Sequence, residues 1–201
     1  MIQKNNYINY IKTIDKARDY LENITPLKGD CGLLCGSVCC KKRGPDNPDD
    51  FGMWLFPHED ILYKDNNNFK VVNAAGNNSY PFLMCGYSGE KGKENNNFCK
   101  REERPLFCRF FPYFPAIEKS KKSKNFGKYK IKIIIHPAAL NMCPAISNKL
   151  KITSEFSRAV KKAVYVMINN PDISREMLKY LTETGDYLKS MSEFAGRILK
   201  L

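Results

Sequence analysis

The sequence predicts an α+β protein, with a small irregular middle domain carrying one β-hairpin between an N-terminal helix and a C-terminal helical segment. Three observations predict it. Apolar residues recur at helical spacing at both ends of the chain. Apolar and polar residues alternate over residues 129–136, the pattern of a half-buried strand. All eight cysteines fall between Cys31 and Cys143. The boundaries that follow are 1–29, 30–147 and 148–201.

Taken in order, residues 6–22 read as an amphipathic helix with Tyr7, Ile11, Ile14, Ala17 and Leu21 on one face, ended by Pro26. The cysteine-dense stretch Cys31–Cys40 follows, then the turn-rich Gly44-Pro45-Asp46-Asn47-Pro48. A short helix is expected to start at Pro57, with Glu59 and Asp60 complementing its N-terminal dipole. Residues 70–74 and 80–84 read as strands. In the strand Tyr129 to His136, Tyr129, Ile131, Ile133 and Ile135 alternate with Lys130 and Lys132, with Ile134 out of phase. Its partner is Phe110 to Ile117, and the hairpin tip is the lysine-rich Glu118 to Lys128. Thr153 or Ser154 should cap a helix burying Phe156, Val160, Ala163, Val164 and Met167. A second helix spans Ser174 to Thr184, and a third uses Tyr187, Met191, Phe194, Ala195 and Ile198.

With 201 residues, 43% hydrophobic and 12% aromatic, the chain can bury a core, which argues against global disorder. Its formal charge of +12 would usually imply an anionic partner. A bound thiolate centre offers a second account: each four-thiolate [4Fe–4S] centre carries about −2, so two would lower +12 to about +8. The opening Met1-Ile2-Gln3-Lys4-Asn5-Asn6 has no basic region leading into an apolar run, and no stretch approaches the length of a membrane span. The expectation is a cytoplasmic chain without a signal peptide or membrane span. Thiols stay reduced there, so eight cysteines point to metal or redox chemistry in place of a disulfide framework.

The central signal is Cys31-x3-Cys35-x3-Cys39-Cys40. Four thiolates this close can converge on a metal at little loop-closure cost, and Gly32 and Gly36 let the backbone bend around it. Adjacent Cys39 and Cys40 point apart in extended backbone, so one of them suffices for a given centre. Cys85, Cys99, Cys108 and Cys143 must reach the site through the fold. Cys85 also reads well as a small buried apolar residue. The spacing differs from the C-x3-C-x2-C of radical S-adenosylmethionine sites, from bacterial ferredoxin spacing and from paired zinc knuckles. No GxGxxG, P-loop or GxSxG occurs.

Arg104 and Arg109 flank Cys108 and admit two roles: binding at the cofactor, by hydrogen bonds to sulfur, or pinning the loop through carboxylates such as Glu102 or Glu103. Phe107, Phe110, Phe111, Tyr113 and Phe114 serve either as core or as a water-excluding wall. His58 reads as an exposed first-turn residue. His136, near Cys143 in sequence, is the better nitrogen candidate. Having only two histidines favours an all-thiolate site, hence iron–sulfur or four-cysteine zinc. Lysines 119, 121, 122, 124 and 128 lack interleaved stacking residues apart from Phe126, the pattern of a solvated tip and not of nucleic-acid contact.

The Cys31–Cys40 cluster, Cys85, Cys99, the run Arg104-Pro105-Leu106-Phe107-Cys108-Arg109-Phe110-Phe111-Pro112, and His136-Pro137 followed by Cys143-Pro144 together resemble the CxxCxxCC (YkgJ-type) cysteine-cluster family. That family is described as zinc- or iron-chelating and includes flagellin lysine N-methylase. The resemblance covers residues 30 to 145. It departs in its three-residue first gaps and in the Lys- and Asn-rich padding between Cys85 and Cys99. What it implies is metal binding. The first expectation is an iron–sulfur or mononuclear iron centre in a redox or electron-transfer role, working with a redox or other protein partner. The alternatives are a protein-lysine N-methyltransferase using S-adenosylmethionine and a structural zinc protein acting as an interaction module.

Overall fold

The computed structural model describes residues 4–29, 31–36, 52–73, 80–85, 100–119 and 129–198. The turn-rich run 44–48 and most of the lysine-rich tip lie outside them. Helices and antiparallel strands both occur, so the class is α+β.

Helix α1 (Lys4–Asp19) buries Tyr10, Ile14 and Ala17, and Leu21 continues the stripe just beyond its end. These positions step by three or four residues and so share one face. Helix α2 (Cys31–Cys35) stops at Gly36, whose φ of 61° is the left-handed conformation that glycine supplies at helix ends. Strands β1 (Gly52–Trp54), β2 (Phe69–Asn73) and β3 (Pro81–Cys85) form a sheet in the order β1-β3-β2. Only β2 and β3 are legible from sequence, since three residues carry no period. Gly52 is needed where it stands, because a Cβ there would sit 2.1 Å from the Phe82 ring and 2.3 Å from the Leu83 carbonyl oxygen.

The segment after Pro57 is a 3-10 turn over Glu59–Tyr63, entered through His58 in the left-handed region, where the sequence predicts a short helix. Helix α3 (Leu106–Phe110) takes up the start of the predicted hairpin strand. The hairpin therefore begins later, as β4 (Tyr113–Lys119) against β5 (Tyr129–Ile135). Short turns α4 (Ala139–Met142) and α5 (Pro144–Ser147) lead to α6 (Ser154–Asn169). Thr153 is the α6 cap, its Oγ1 accepting the Phe156 N–H at 3.2 Å, and all five predicted core residues of this helix are buried.

The two predicted C-terminal helices are one, α7 (Ser174–Ile198), running unbroken through Gly185. Gly185 lies on the buried stripe Met177, Leu181, Leu188, and a Cβ there would stand 2.7 Å from the Ala116 Cβ of β4. The glycine is a contact residue and not a stop. Reading it as a break resets the helical phase, which explains why Tyr187 and Met191, predicted inward, are exposed while Leu188 is buried.

One apolar core joins α1, Phe56, α3, β4, α6 and α7. It draws on all three segments of the predicted division. A smaller cluster of Leu55, Tyr63, Phe69 and Leu83 lies with the three-stranded sheet.

Candidate functional site

The described thiols occupy three places. Cys31 and Cys35 bracket α2; at a spacing of four residues they lie on one face of that helix, and both are half-buried. Cys108 is half-buried in the middle of α3. Cys143 links α4 to α5, its N–H bonded to the Ala139 carbonyl at 3.0 Å and its own carbonyl accepting from Ile146 at 2.9 Å. Cys85 ends β3, opposite Phe69. Cys39, Cys40 and Cys99 lie outside the described residues. Among the described residues, no three His, Cys, Asp or Glu side chains gather into a group that could hold a metal ion.

The Cys108 and Cys143 segments adjoin. The His136 N–H donates to the Pro112 carbonyl at 2.9 Å, just past α3, and the His136 ring meets the Phe107 ring edge-on at 5.4 Å. Three residues beyond His136, α4 begins the approach to Cys143.

A five-residue helix cannot hold itself in water, so α3 must be held by its surroundings. Both of its ends are clamped. At the N-terminal end, the fully buried Glu59 carboxylate accepts the Leu106 N–H at 2.7 Å through one oxygen and the Phe56 N–H at 3.1 Å through the other. Burial pushes the Glu59 carboxyl up to about 7, against the opposing pull of those two N–H groups and of Arg18 and Arg109. Further along, the buried Arg109 spreads its guanidinium over four partners. It donates to the carbonyls of Arg104 (3.0 Å), Arg18 (3.1 Å) and Glu102 (2.9 Å), and to the Glu22 carboxylate at 2.7 Å. The Arg109 hydrogen bond holds the Glu22 carboxyl below its usual range.

Arg101 fastens the same segment to the end of α1, donating to the carbonyls of Leu21 and Glu22 (2.6 Å each) and Ile24 (2.7 Å). Arg18 donates to the Glu102 carbonyl, and the Tyr63 hydroxyl to the Glu103 carbonyl at 3.0 Å. The chain from 100 to 110 is thus bolted to α1 and to the Glu59 turn by charge-assisted bonds.

Of the two roles open to Arg109, its contacts fill the second: it pins the loop. Its carboxylate partner is Glu22, far away in sequence, and not Glu102 or Glu103. Arg104 lends Arg109 its carbonyl, while its side chain is half-buried beside the same turn. Glu59, Arg18, Arg101 and Glu22 went unmarked as site residues in the sequence. Glu59 in particular reads there as serving its own helix's dipole, whereas it serves α3.

Both histidines are engaged. His58 Nε2 lies 2.6 Å from Glu176 Oε2 and its ring packs edge-on against Tyr10, so the residue is half-buried and tied to α7. His136 Nδ1 accepts the Ala138 N–H at 3.2 Å, and burial lowers its pKa to about 4. A neutral ring accepting at Nδ1 carries its proton on Nε2. Compared with known proteins, the chain matches no family model, no curated protein and no solved structure.

Proposed function

We propose that this chain is a metal-binding cysteine-cluster protein that holds iron, as an iron–sulfur centre, in a redox or electron-transfer role. The observation that carries this reading is the clamp on Cys108: a one-turn helix bearing a single thiol is fixed at both ends by a fully buried carboxylate and a buried guanidinium. Fixing a ligand's position before metal arrives is what such a frame accomplishes. One further feature fits thiolate ligation: Cys31 and Cys35 share a helix face.

In this proposal Cys31, Cys35, Cys108 and Cys143, with Cys39, Cys40, Cys85 and Cys99, supply the ligands, and the resemblance to the CxxCxxCC family is the reason to expect zinc or iron. Such a centre, when bound, supplies one-electron transfer at a potential set by its surroundings. The chain's own part is to hold Cys108 in place, keep water off it with Phe107 and Phe110, and set nearby charge with Arg18, Arg101 and Arg109. The metal would also order the irregular middle of the chain. The rival readings, structural zinc and a methyltransferase using S-adenosylmethionine, draw on the same cysteines.

The test is Cys35→Ser and Cys108→Ser, each purified anaerobically and assayed for metal. Both should lose metal and thermal stability together. Metal retained in full by both variants would refute the assignment. Heat on titrating S-adenosylmethionine into the metal-loaded wild-type protein would favour the methyltransferase reading, and absence of heat would count against it.

A further inference from the structure

Helix α6 carries two stripes. One is the buried stripe of the core. The other, Glu155, Arg158, Ala159, Lys162, Tyr165 and Val166, steps by three or four residues along the adjoining face and lines two contiguous grooves. They share Tyr20 and Lys162, and their remaining walls come from Ile24 beyond α1 and from Ile131 of β5. The larger, about 350 Å³, is floored by apolar atoms. Tyr165 is 62% exposed at its edge.

The rim is basic, with Arg158, Lys161 and Lys162 against the single carboxylate of Glu155. Among the described residues, Arg158, Lys161 and Lys162 make no ion pair, although Lys132 and Lys189 of the same molecule both pair with Glu118. Three cations thus stand together beside an apolar floor, a local concentration of positive charge on one helix face. We infer that this groove docks an acidic segment of a partner protein, one that inserts a single apolar or aromatic side chain between Tyr20 and Tyr165 while its carboxylates meet Arg158, Lys161 and Lys162.

The shape decides against the other anionic partners. Single-stranded nucleic acid needs a track of successive stacking faces along a basic path, whereas this open, shallow groove offers only the rings of Tyr20 and Tyr165. An anionic membrane needs apolar side chains that protrude, whereas Ile24, Ile131 and Val166 are only partly exposed. None of the lining residues lies on a cysteine-bearing element, so this inference stands apart from the metal assignment.

The test is fluorescence anisotropy on the full chain with three labelled probes: an oligoglutamate peptide bearing one central phenylalanine, the same peptide with alanine in its place, and oligothymidylate. The phenylalanine peptide should bind best and lose affinity as salt rises. Lys162→Glu and Tyr165→Ala, both at exposed positions, should each weaken it about tenfold. Lys179→Glu makes the same charge change outside the groove and should leave binding within about twofold of wild type, which separates the groove from net charge. Equal weakening by Lys179→Glu, no loss in the groove variants, equal binding of the two peptides, absence of peptide binding, or tighter binding of oligothymidylate would each overturn the inference.

Discussion

Glu59 has two acceptor oxygens and two backbone N–H partners, which no other side chain of its size can match. In Glu59→Gln one oxygen becomes an NH₂ that faces a backbone N–H, leaving both groups buried and unpaired. The variant should lose about 2–3 kcal/mol, read as a lower denaturation midpoint at unchanged slope. Unchanged stability would mean that the clamp is not needed. Glu59 also opposes His136 in the pH response. Its folded pKa, about 7 against an ordinary 4.5, means the folded state keeps a proton that the unfolded state releases, so its contribution falls as pH rises through that window. His136 runs the other way. Its folded pKa of about 4 against 6.5 means the unfolded state takes up a proton first, and stability is lost as pH falls from 6.5 towards 4, by about 3 kcal/mol in all. The two slopes offset between pH 4.5 and 6.5. His136→Phe removes one, so thermal melts across that range should show stability declining with rising pH relative to wild type. Parallel curves for the two proteins would contradict it. At this scale the cysteines were legible because their chemistry is written in residue type. Glu59 was not, because its partners Phe56 and Leu106 lie 3 and 47 residues away.

Elements with a long, clean period were read correctly from sequence, and those whose form depends on a neighbour were not. Helix α6 carries its cap and its buried stripe in its own residues. Helix α7 does not, since Gly185 is explained only by Ala116 across the packing interface. Helix propensity alone says that Gly185→Ala should stabilise. The contact says the reverse: the added methyl meets a fully buried partner at 2.7 Å and forces α7 off β4. The variant should be less stable by about 1–3 kcal/mol, checked by denaturant unfolding. A gain in stability would show that α7 can move away at no cost. The same dependence on context turned the predicted helix at Pro57 into a left-handed entry and a 3-10 turn, because the Glu59 side chain is needed facing inward.

The molecule as a whole is less divided than its sequence pattern suggests. A core shared by α1, α3, β4, α6 and α7 means that the terminal helices form the floor on which the segment bearing Cys108 is mounted. Arg101 and Arg109 carry that mounting from α1 to the segment bearing Cys108. None of the described helices is long and apolar enough to cross a membrane. Two contributions to stability should therefore separate: the apolar core, and the proposed metal acting on residues 30–145. Removing metal with a chelator should lower the melting temperature by at least about 5 °C while leaving most helical circular dichroism intact below the transition. That the Cys108 and Cys143 segments adjoin, through His136, Phe107 and Pro112, was beyond the reach of sequence, because the contact is set by the fold and not by a local turn. The central claim is that these cysteines hold iron, and its most direct test is anaerobic purification followed by metal analysis and an absorption spectrum. An iron–sulfur centre requires a brown protein with stoichiometric iron, acid-labile sulfide and broad charge-transfer absorption; a colourless protein with stoichiometric zinc, or with no metal, would contradict it.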